Sequence, residues 1–153
     1  MGPARLSCLL AALLVPVAPA RAANVIFDAT VAATCTLTVT GNGVMVADAA
    51  LQSLSSKLPG GSAGTLSLST TGGVEIGVDP VSGVTRPGSD TTPTTWTPSY
   101  SVSGSHTVAE TSAGTPLAGP GLSTVTVHLV GTKSGAHSFT TGTYQATVTV
   151  RCE

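Results

Sequence analysis

Few side chains in this sequence are of the types that do chemistry, and their spacing narrows what that chemistry is. Cys35 and Cys152 each stand in phase with apolar neighbours in an alternating segment, near opposite ends of the chain that follows its N-terminal leader. An even pair of such thiols in an oxidising compartment is expected to join as a disulfide. Two separate reactive thiols fit less well with apolar surroundings. His106, His128 and His137 are the only imidazoles, and none sits in an H-x-H, H-x-x-x-H or C-x-x-C arrangement that would bring metal ligands together locally. Serines are plentiful, but no G-x-S-x-G nucleophile elbow is present. Glu75 and Asp79 share one strand face, as the paired acids of a glycosidase would, although two acids on a solvated β face more often serve solubility. The chain therefore reads as a non-enzyme with no catalytic residues, no metal and no cofactor. Trp96 and Tyr100 are the candidate binding surface: two aromatics of one parity near a Pro-rich loop form a platform for a sugar ring if exposed, and core if buried.

The elements that position these residues begin after a leader. Met1 to Arg5 is a short basic start, Leu6 to Ala18 is an apolar run broken by Pro16, and Ala20-Arg21-Ala22 fits the small-x-small pattern of signal peptidase. Residues 1–22 are read as a signal peptide and 23–153 as a single domain. The apolar run falls short of the roughly 20 residues that cross a bilayer, and no later stretch qualifies, so the mature form has no membrane span. Cys8 precedes the core of the signal and is lost with it. Export places the protein in the periplasm, at the cell surface or outside the cell.

The mature chain carries four Lys and Arg residues against seven Asp and Glu, a net charge of −3. So few cations exclude nucleic acid and anionic membranes as partners, since those affinities need clustered Lys and Arg. Charged residues make up 8% of the sequence against a usual quarter, with Thr, Ser, Gly, Ala and Val taking up the difference, and that composition favours strands.

Alternation predicts where the strands lie. Val25, Phe27, Ala29 and Val31 share one face of a first strand; Cys35, Leu37 and Val39 alternate with threonines; Leu66 and Leu68, then Val74, Ile76 and Val78, read as a hairpin about Thr70-Thr71-Gly72-Gly73. Ala47 to Leu58 reads as a short helical turn or an irregular strand. Pro80 to Pro93 and Gly104 to Gly121 read as long loops. Pro98 cannot donate to a ladder, which puts the Trp96–Val102 strand at an edge or beside a bulge. Val125, Val127 and Leu129, and then Tyr144, Ala146, Val148, Val150 and Cys152, give the two clearest strands. Seven or eight short strands separated by turns indicate an all-β, two-sheet sandwich.

Phe27-x-Ala29-x-Val31 followed by Cys35 and Leu37 resembles the opening strand of chaperone–usher pilins and the related spore coat protein U-like domains. Gly142-x-Tyr144 followed by Ala146, Val148 and Val150 resembles their closing strand. The resemblance implies an immunoglobulin-like sandwich and a structural or adhesive role at the bacterial surface, with other appendage subunits or a periplasmic chaperone as partners. A stand-alone secreted carbohydrate- or surface-binding module is the alternative. Two departures stand out. Pilins pair the early cysteine with one some forty residues later, where this chain has Thr70-Thr71-Gly72-Gly73. Polymerising pilins also carry a free extension ahead of their first strand, whereas a first strand at Val25 leaves only Ala23 and Asn24. On that reading the isolated chain stays a monomer or small oligomer, either closed or accepting a strand from a partner.

Overall fold

The computed structural model describes residues 21–153, so the signal peptide read over residues 1–22 lies, but for Arg21 and Ala22, outside the described residues. A compact unit spans Val31–Glu153; the described part of the segment before it, residues 21–30, contains no strand. The described residues are all-β, with twelve short strands and no helix.

The larger sheet is built on β10 (Gly121–Thr132), whose buried residues alternate from Ser123 through Val125, Val127 and Leu129 to Gly131, as the period-2 pattern predicts. One edge of β10 pairs in succession with β4 (Gly64–Thr70) and β3 (Ser53–Ser55), and β1 (Cys35–Gly41) and β2 (Val46–Ala47) extend the sheet beyond them. Its other edge pairs with β7 (Thr95–Gly104), which carries β8 (Val108–Thr111) only beyond Pro98, from Tyr100 onward. Pro98 thus sits where one side of β7 is free of a ladder, the position its missing N–H requires.

A second, three-stranded sheet has the order β12 (Val150–Cys152), β5 (Val74–Val78), β9 (Thr115–Leu117), and β11 (Gln145–Thr147) pairs with β6 (Gly83–Thr85). Leu68, Val125, Tyr100 and Val102 of the large sheet face Val74, Ile76 and Leu117 across a buried core, the arrangement of a β-sandwich.

Several sequence expectations are corrected. Val25–Val31 forms no strand: Val25, Ile26, Phe27 and Val31 are exposed, Phe27 at 91%. An alternating segment becomes a strand only when a neighbour satisfies its backbone, and among the described residues none does. The Thr70–Gly73 corner is not a hairpin turn, because β4 and β5 lie in different sheets. Gly72, at φ 87°, packs so closely on the Ala118 carbonyl that a Cβ would overlap it, while Thr71 Oγ1 accepts from Thr34 N at 2.8 Å and Thr70 Oγ1 donates to Thr34 O at 2.9 Å. These bonds turn the chain across the sandwich and moor the start of β1. Ala47–Leu58 is a turn followed by β3, with Asp48 Oδ1 accepting from Gln52 N at 2.9 Å and Ser53 N at 3.2 Å. The two long loops contain β6, β8 and β9, and the closing strand is broken into β11 and β12 at Val148–Thr149.

Candidate functional site

Cys35 and Cys152 form the disulfide, with Cα atoms 6.0 Å apart. The bond fastens the first residue of β1 to the last of β12. Among the described residues, β1 pairs only with β4 and β12 only with β5. Their facing edges therefore meet at the disulfide and carry no ladder beyond it.

Away from the clasp the two edges bound an open groove of about 450 Å³. Its floor is apolar, formed by Leu66, Val127 and Leu129 of the large sheet, and Val148 and Val150 form its opposite wall. Val39 measures the opening. It shares a strand face with Cys35 and Leu37, which pack on the core, yet it is 65% exposed. A core-facing valine left in water forgoes about 1.5–3 kcal/mol of burial. The register predicted for the last strand holds: Ala146, Val148, Val150 and Cys152 are half-buried, and Gln145, Thr147, Thr149 and Arg151 are exposed. Val148 lies at the groove, where alternation alone would place it in a closed core.

The other candidate residues are dispersed. Tyr100 is not a surface platform. It is fully buried, its hydroxyl lying 2.9 Å from the Ile76 and Ala113 carbonyls and from Thr115 Oγ1, so the energy of burying a large ring in an aromatic-poor domain decides its place. Trp96 is half-buried against the backbone of Gly131, where a Cβ would overlap its six-membered ring. Gly131→Ala is accordingly expected to displace the ring and destabilise the domain by about 1–3 kcal/mol, with a shift of Trp96 emission to longer wavelength as the check.

Several titratable side chains have structural partners. His106 is held by the Gly119 carbonyl at 2.8 Å and Ser123 Oγ at 3.2 Å, and His128 Nδ1 by Ser56 Oγ at 3.0 Å. Asp79 accepts from Arg151 Nε at 2.6 Å. Glu110 bonds Lys57 and Ser99, and these, Lys57 foremost, hold its carboxyl below the usual range. Among the described residues, no three His, Cys, Asp or Glu side chains converge as metal ligands, and no helix is long and apolar enough to cross a membrane.

One cluster carried no sequence signal. Lys133 Nζ and Asp90 Oδ1 lie 2.6 Å apart with their side chains at 0% and 1% exposure, Lys133 Nζ also donates to Thr92 O at 2.7 Å, and the Tyr144 hydroxyl donates to Asp90 Oδ2 at 2.7 Å. Phe139 covers the ammonium, 5.0 Å from its ring centre, and meets Tyr144 edge-on at 5.3 Å. Burial by itself would raise the Asp90 pKa. The bonds from Lys133 and Tyr144, the charge of Lys133 and the bond from Thr92 together outweigh it and hold the group at about 2. No family model, curated protein or solved structure matches this chain.

Proposed function

We propose that this chain is an exported, non-enzymatic structural or adhesive surface subunit, an immunoglobulin-like domain of the pilin and coat-protein kind, that assembles by passing its N-terminal segment into the groove of another copy. One observation carries the reading: an unpaired, alternately apolar segment and an unpaired, apolar groove occur in the same chain. Val25–Val31 is seven residues, about 23 Å when extended. Val25, Phe27, Ala29 and Val31 supply one apolar face, and insertion between β1 and β12 would give each free edge a ladder partner. The expectation of a monomer or small oligomer rested on a strand at Val25–Val31, and with that strand gone its premise is removed.

The test uses light scattering on the mature full-length chain. It is expected to form a ladder of oligomers that resists mild denaturant. Phe27→Asp disables the donated segment and Val39→Asp the groove, both at exposed positions where the fold is spared, so each variant alone is expected to remain monomeric. Mixed, they are expected to yield a dimer, because one still accepts and the other still donates. A wild-type chain that stays monomeric at every concentration, or oligomers indifferent to both substitutions, would return the protein to the reading of a stand-alone binding module.

A further inference from the structure

At the start of β7, Val84, Arg86, Thr94, Trp96 and Tyr144 line a second cleft of about 350 Å³, within the range of small-molecule sites. We propose that this cleft binds an acidic saccharide, with the sugar ring against Trp96 and its carboxylate on Arg86. The inference goes beyond the assembly reading and does not depend on it.

The cleft is built before any ligand arrives. Trp96 is backed by the Gly131 backbone and braced by Phe139, their ring centres 6.5 Å apart. Tyr144 is fixed through its hydroxyl, which accepts from Thr140 N at 3.0 Å and donates to the buried Asp90. The buried ion pair thus acts as the footing of the cleft, and little ordering entropy remains to be lost when a ligand binds. Half-exposed aromatic faces suit the C–H face of a pyranose, which needs an apolar plane with polar groups around its rim.

Charge selects the kind of sugar. Arg86 Nη1 donates to Thr92 O at 3.2 Å, which holds the guanidinium beside the cleft. Among the described residues Arg86 has no carboxylate partner, whereas Lys57, Lys133 and Arg151 each have at least one. An unpaired guanidinium fits a carboxylate in a two-pronged hydrogen bond. A single cation without a phosphate-cradling loop is poor provision for a nucleotide, and a uronic acid supplies the ring and the one negative charge together.

Trp96 is the only tryptophan, so its emission reports the cleft directly. The experiment titrates the full-length chain with oligogalacturonate, with oligoglucuronate and with the methyl-esterified form of each, which keeps the ring and loses the charge. A saturable change with at least one acid, about tenfold or more weaker with its ester, is expected. Arg86→Gln, at an exposed side chain, is expected to bring that acid down to the affinity of the ester while leaving ester binding and thermal unfolding unchanged. Trp96→Ala, followed by calorimetry, is expected to abolish both. No saturable response to either acid, equal binding of acid and ester, or an Arg86→Gln chain that binds the acid as before would overturn the proposal. Because Phe27→Asp lies outside the cleft, running the same titration on that variant separates the sugar site from the assembly reading.

Discussion

Replacing Lys133 by Met is expected to destabilise the domain by about 3–5 kcal/mol, read as a shift in its urea unfolding midpoint, because it leaves Asp90 buried without its cation. The pair ties together three pieces: the 86–94 loop, the residue after β10 and the 139–144 segment. Asp90→Leu combined with Lys133→Met is expected to cost less than the sum of the single changes, since removing both charges leaves neither stranded. A loss under about 1 kcal/mol for Lys133→Met would show that the pair is not a structural tie. Acid supplies an independent check. The Asp90 pKa is depressed, about 2 in the folded chain against 3.8 when free. The group's contribution to stability is therefore fully present above about pH 4 and is lost as pH falls through that interval toward 2. Wild-type protein should lose stability over this range more steeply than the double variant does.

The second large effect lies at the clasp. Cys35→Ser is expected to destabilise by about 2–5 kcal/mol, as loss of a native disulfide commonly does, because the bond closes a loop across a sequence separation of 117 residues. For a domain of this size that corresponds to a fall in Tm on the order of 10 °C. Intact mass should show the oxidised form, two protons lighter than the dithiol. The groove makes this bond more consequential than its entropy alone. β1 and β12 share no ladder, so the disulfide is the direct bond between the two walls. In the serine variant the walls should part, and amide hydrogen exchange in β1 and β12 should rise before that in β10. Uniform acceleration across all strands would mean that the groove walls are held by something other than the disulfide.

The all-β class, the inward phase of β4, β5, β10 and the closing strands, and the Cys35–Cys152 pairing were legible in the sequence because each depends on local alternation or on the pairing of two thiols. Val125, Val127 and Leu129 face the core for the reason that their spacing predicts: every second side chain of a strand points the same way. Alternation, however, describes a segment's faces and says nothing of whether a partner exists for its backbone. Val25–Val31 and Val74–Val78 have similar patterns, yet one is buried between neighbours and the other is uncovered. The same limit turned the Thr70–Gly73 corner from a presumed hairpin into a crossing between sheets, since a Gly-rich turn permits either. Tyr100 and Trp96 share a parity and part company only in three dimensions, one over Ile76 in the core and the other on Gly131 at the rim. Lys133 and Asp90 stand 43 residues apart with no motif between them. Their pairing, like the open groove beside Val39, belongs to the tertiary structure alone, because packing decides which distant residues meet and which edges are left without a partner.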